Sequence, residues 1–280
     1  MFESIGRSLA LMKTSWDILM ADKRLLAFPV LSGIVTILVV LTFIIPLLLT
    51  GGFASSGNLI SLVFLFLFYV ASYFVVIFFN TALISCVNAR LNGKSMTVGE
   101  GLSNAANHLP SIIGWSIIAA TVGLISNLLE ERAGFIGDIV LAVIGGAWSL
   151  VTYFVVPVLV LEDKGVIDSL KESVNLIKKT WGESIVGSAS MAIVFVIIGV
   201  IAAICVFATL MLGSSTVFMA ALALFLLLVV VLAVVYSAMQ GIFVTALYTY
   251  AKTGTVPTAF NPGLIKNAFQ PKQGNLKENI

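Results

Sequence analysis

The chain has 280 residues, of which 60% are hydrophobic and only 10% charged, and its mean hydropathy is +1.12. That balance excludes an ordinary soluble domain, where about a quarter of the residues carry charge, and identifies a membrane protein. The net charge of +2 is too small to point to nucleic acid.

In chain order, the first element places Ile5, Leu9, Met12, Trp16 and Leu19 at alternating spacings of four and three, which predicts a helix with one apolar face. Two apolar runs follow at 29–49 and 60–87. A second amphipathic element carries Val98, Leu102, Ala105, Leu109 and Ile112, followed by runs at 111–128 and 135–161. A third carries Ile167, Leu170, Val174, Ile177 and Trp181, followed by runs at 185–212 and 217–250. Each run falls within or beyond the range of about 17–25 residues a membrane-spanning helix needs. No charged residue occurs from Ser184 to Ala251, as expected where one charge at the bilayer centre costs about 3 kcal/mol.

The expected fold is therefore an all-α integral membrane protein of six transmembrane helices. They form three parallel repeats, each an amphipathic interfacial helix plus a transmembrane hairpin, at about 1–94, 95–165 and 166–254 of a single membrane domain. Every unit holds two spans, so every copy starts on the same side, and the repeat axis runs along the membrane normal. Two matches support the repeat: the stretch from Ser8 to Trp16 aligns with that from Ser173 to Trp181, and Phe79-Asn80-Thr81-Ala82-Leu83 echoes Phe243-Val244-Thr245-Ala246-Leu247. Pro29 and Pro110 start spans one and three. Pro46 and Pro157 kink or end spans one and four, and Gly145-Gly146-Ala147 admits a neighbouring helix. Asn261-Pro262 opens a short interfacial helix in the closing segment, 255–280.

Lys and Arg orient the protein, because cytoplasmic loops carry them in excess. An N-terminus inside leaves Arg132 alone of 15 basic residues outside. Both termini are then cytoplasmic, and the outer loops are short. Lys13, Lys178 and Lys179, beside Trp16 and Trp181, either contact the anionic inner leaflet, at about 1 kcal/mol per charge, or act only as topology signals. Trp115 suits the same headgroup belt, whereas Trp148 lies deeper and packs.

Little catalytic chemistry is legible. His108 is the sole histidine, so no histidine metal cluster forms and no Ser-His-Asp triad is expected; it reads as an interfacial polar residue. No phosphate loop, dinucleotide fingerprint or nucleophile elbow occurs. Glu130-Glu131 and Glu162-Asp163 read as solvated caps. Cys86 and Cys205 read as small hydrophobes without a disulfide. Asn80, Asn127 and Gln240 are the polar residues within the spans, serving either as hydrogen-bonding glue between helices or as an intramembrane polar path. No cofactor, catalytic residue or metal ligand is expected.

Ser15-Trp16, Asp22-Lys23 and Phe28-Pro29-Val30-Leu31-Ser32 resemble the start of a bacterial membrane family called domain of unknown function (DUF) 6159. The resemblance continues through Gly114-Trp115, Ala147-Trp148, Tyr153 to Leu159 with Pro157, Lys179 to Glu183 and Ala246 to Ala251. More loosely, the repeated units are similar to the membrane domain of some glycerophosphodiester phosphodiesterases, without the hydrolase domain. The resemblance implies the fold and a bacterial inner membrane, and carries no activity or site residue. The expected function is a non-enzymatic scaffold or regulator at the cytoplasmic leaflet, with lipid, including anionic lipid, and a membrane protein as partners. The alternative is a transporter or channel for a lipid or small apolar solute.

Overall fold

The computed structural model describes the backbone of residues 2–49, 59–130, 135–212 and 214–255, with side chains except at 2–11, 47, 49, 135–136, 138–139, 179–190 and 212. The expected C-terminal interfacial helix and most of the outer loops, with Glu131 and Arg132, lie outside the described residues. The described residues contain helices and no strand: α1 Phe2–Ala21, α2 Ala27–Leu49, α3 Leu59–Leu91, α4 Val98–Asn107, α5 Leu109–Glu130, α6 Phe135–Val151, α7 Val155–Leu161, α8 Val166–Ala208 and α9 Ser215–Thr253. Among the described residues, six helical stretches are long and apolar enough to cross a membrane: Lys23–Pro46, Leu59–Leu91, Leu109–Glu130, Val140–Leu161, Met191–Met211 and Ser215–Thr253.

Two boundaries fall at the prolines expected to mark them, Pro110 and Pro157, and the second amphipathic segment is shorter than its apolar spacing suggests. The second amphipathic segment ends as a helix at Asn107, so Leu109 and Ile112 belong to α5. Pro110 causes this break, because its ring would strike the carbonyl of Ala106 in a continuous helix and it has no N–H to donate. The fourth span breaks at 152–154, before Pro157, which lies in the first turn of α7. There its missing N–H has no intrahelical partner to lose, and the displaced carbonyl is that of Tyr153. Pro46 sits inside α2, which ends three residues later. The third amphipathic segment is not separate from span five, since both belong to α8, 43 residues long and so about 65 Å.

Close packing divides the chain into two compact units, residues 1–26 with 179–280, and residues 27–178. In the first unit α1 packs on α9. The face it buries runs through Ser15, Ile18 and Leu19, while Trp16 is 42% exposed. The covered stripe is thus rotated from the Met12, Trp16, Leu19 line. In the second unit α4 packs on α3 through Gly101 and Ala105, and the start of α8 buries Ser169, Ser173, Leu176 and Ile177 while Ile167 is exposed. In all three elements the line of contact passes through small residues, which let helix backbones approach closely.

The buried core of the second unit gathers at one end. It holds the C-terminal half of α3 (Val75 to Leu91), the N-terminal half of α5 and most of α7. Beyond it the spans leave apolar side chains such as Ile60 and Leu48 open, which lipid solvates at no cost. Trp115 is buried here and stacks on Trp148 at 5.9 Å, so it packs within the protein and is no headgroup-belt residue. Gly145 and Gly146 have nothing within 4 Å of an added Cβ; the close approach is made by Gly101 against α3 and by Gly123 against Tyr73. In the first unit the buried segment of α9 is Ala238 to Tyr248, and it includes the Phe243 to Leu247 pentapeptide, whose counterpart from Thr81 onward is likewise buried in α3.

A capping box starts α4. The Glu100 carboxylate accepts from the Thr97 N–H at 2.7 Å and the Thr97 hydroxyl at 2.8 Å, while Thr97 Oγ1 accepts from the Glu100 N–H at 3.2 Å. These bonds hold the carboxyl below its ordinary 4.5, the backbone bond foremost. A folded-state pKa that is lowered stabilises above the unfolded value and loses that contribution as pH falls through the folded one. The cap is therefore expected to be intact at neutral pH and to loosen only below 4.5. An NMR titration of the Thr97 and Glu100 amides checks this: their shifts should move with a midpoint under that value and stay fixed in Glu100→Gln.

Candidate ligand cleft

The last turns of α3 and the residue that follows them carry Ser85, Asn88 and Asn92 at spacings of three and four, which sets them on one face. The helix then closes in a Schellman cap: the Lys94 N–H donates to the Ala89 carbonyl at 2.9 Å and the Gly93 N–H to the Arg90 carbonyl at 3.1 Å. Gly93 takes φ +73°, a conformation in which a Cβ is strained, and this reversal returns Lys94 toward the α3 face. Asn104 of α4 and Val160 and Leu161 of α7 complete a cleft of about 470 Å³ with Ala89 and Met96.

Hydrogen bonds orient the amides. Asn92 Nδ2 donates to the Asn88 backbone carbonyl at 2.8 Å, which fixes it as the nitrogen; the side-chain atom of Asn88 at 3.2 Å is then its oxygen, Oδ1. Ser85 Oγ donates to the Thr81 carbonyl and lies 3.1 Å from Asn104 Oδ1. The carboxylates that follow Leu161 have their own partners. Glu162 accepts from Lys164 at 2.8 Å, and Lys164 also reaches Glu172 at 3.5 Å. Glu162 is thus a half-buried ion-pair member and no solvated cap, whereas Asp163 is 92% exposed and adopts φ +50°. His108 donates from Nδ1 to the Asn104 carbonyl at 2.8 Å. Its Nε2 is 3.4 Å from Asp163, a contact that becomes an ion pair only when the ring carries both protons.

The cleft lies wholly within residues 59–258, which match the family model described as a family of unknown function, DUF6159. The chain belongs to that family. The match opens on the first residue of α3, so Ser15-Trp16 and the Phe28 to Ser32 stretch precede it. No curated protein matches the chain.

Residues singled out from the sequence of this DUF6159 member lie elsewhere. Asn80 is half-buried in α3 and Asn127 half-buried in the last turn of α5; neither lines the cleft. Gln240 is half-buried in α9 of the other unit. Lys13 and Lys178 are exposed, and the side chains of Lys179 and Trp181 are outside the described residues. Cys86 is buried against α4, its Sγ 3.6 Å from the Thr97 carbonyl, and Cys205 is exposed on its span. The polar stripe Ser85, Asn88, Asn92 was legible as a three-four spacing that carries polarity from the end of the second apolar run into the residues after it, and Thr97-x-x-Glu100 as a capping box.

Proposed function

We propose that this protein is a non-enzymatic, multi-pass scaffold or regulator of the bacterial cytoplasmic membrane, working at the cytoplasmic ends of its helices. The two termini are cytoplasmic on this reading, and the chain is three parallel repeats of interfacial helix plus hairpin, akin to the membrane domain of some glycerophosphodiester phosphodiesterases. One observation carries it: in the unit of residues 27–178, the tight core, the non-spanning helix α4 and the polar cleft gather at one end of the spans. By the distribution of Lys and Arg, that end faces the cytoplasm. The opposite ends of the spans present mainly apolar surface suited to lipid.

The exposed Lys13 and Lys178, with Lys179, are the proposed contacts to anionic lipid or to a membrane protein partner, at about 1 kcal/mol each near the inner leaflet. Replacing all three with Glu is expected to leave insertion intact and to lower recovery of a stoichiometric partner or anionic lipid by at least about tenfold. Native mass spectrometry of the protein extracted with its surrounding membrane patch gives the readout. An unchanged set of co-purifying species would overturn the reading.

A further inference from the structure

We infer that the cleft between α3, α4 and α7 binds a phosphate-bearing headgroup. Its lining is unbalanced toward donors. Asn88 Oδ1 is occupied by Asn92, which leaves the Asn88 amide nitrogen to donate. Lys94 adds an ammonium that makes no ion pair among the described residues, while Glu162 and Asp163, which follow Leu161 in the chain, face Lys164 and His108. Among the described residues no carboxylate lines the cleft, so a cation would find no hard anionic ligand there. A ligand rich in acceptors and negatively charged is the complement. Asn92 Oδ1 is left to accept from a hydroxyl beside the phosphate.

The volume, about 470 Å³, is that of an ordinary small-ligand site. Its wall of Met96, Val160 and Leu161 suits the glycerol and first methylenes of a lipid. The position suits one too: α3 has 33 residues and so is about 50 Å long against a hydrocarbon core of about 30 Å, which puts its last turns at headgroup level. A lipid phosphate and a free phosphate share this chemistry. The inference deepens the proposed function, yet it rests on that reading only for the leaflet.

The full chain in phosphatidylcholine nanodiscs, which expose both membrane faces, separates the two sources. One arm adds phosphatidylglycerol and counts retained lipids by native mass spectrometry; the other titrates inorganic phosphate and follows its ³¹P line width. Selective retention of one phosphatidylglycerol, weakened about tenfold in Lys94→Gln and again in Asn88→Ala, is the expected result. Phosphate binding with the same losses but no lipid preference would support the site and name the free anion as its source. Equal behaviour of wild type and both variants toward both probes, with their thermal transitions unchanged, would overturn the inference. Because nanodiscs ignore orientation and leave Lys13 and Lys178 intact, such a failure is separate from a failure of the scaffold reading.

Discussion

Gly101→Val is expected to destabilise the protein by more than about 3 kcal/mol, and Gly101→Ala by about 1–2 kcal/mol. A Cβ at this position would lie 2.6 Å from Cys86 Sγ, 3.0 Å from Phe28 Cζ and 3.1 Å from the Ala82 carbonyl oxygen. The thiol can rotate away; the carbonyl belongs to the α3 backbone and cannot. Alanine would gain about 1 kcal/mol over glycine in helix propensity, so a net loss means that crowding at the α3–α4 contact outweighs that gain. Branching at valine adds methyl groups with nowhere to go. Reversible unfolding in detergent measures both losses, and Cys86→Ala should recover part of the Gly101→Ala loss by removing the tightest contact. Full stability in Gly101→Val would mean that α4 does not dock on α3 as described. Since Asn104 rides on α4, the same variants should weaken any ligand of the cleft.

Ser173→Ala is the second large effect, expected to cost about 2–4 kcal/mol. Ser173 is fully buried, and its hydroxyl donates to the Val151 carbonyl at 2.6 Å while accepting from the Phe154 N–H at 3.1 Å. It therefore bridges the break between α6 and α7, where Pro157 prevents the helix from continuing. Removing the hydroxyl takes a donor from the half-buried Val151 carbonyl and an acceptor from the buried Phe154 N–H, each worth about 1–3 kcal/mol. Faster hydrogen exchange at the Phe154 amide should accompany the loss, and unchanged exchange with unchanged stability would show that the bridge is dispensable. Ser173→Cys keeps the size with a weaker donor and should fall between wild type and alanine.

How far the sequence was legible follows from what each pattern encodes. The six spans could be placed because length and apolarity respond to the bilayer itself, a solvent whose demands are the same for every helix. Pro110 and Pro157 marked their breaks within a few residues, since the ring conflicts with the carbonyl four residues back wherever it sits. Trp115 was misplaced at the lipid surface because a tryptophan suits both a headgroup belt and a stack on Trp148, and composition does not distinguish them. The stripes through Trp16 and Ile167 were set one position away from the buried lines through Ser15 and Ser169. Polarity scales count serine and glycine as outward-facing, whereas a helix docking on another selects them for size. The cleft was missed for a related reason: Ser85, Asn88 and Asn92 share a face by periodicity, but Lys94, Asn104 and Leu161 join them only through the cap at Gly93 and the packing of α4 and α7.

Residue order alone thus determined an all-helical chain with six segments able to cross a membrane, because local apolarity and backbone hydrogen bonding suffice for that. Tertiary packing decided which faces are covered, that Gly101 and Ser173 hold helices together, and that five polar side chains from α3, the turn that caps it and α4 meet in one cleft. Such contacts depend on shape and on distance across the fold, and neither is carried by any short stretch of the chain.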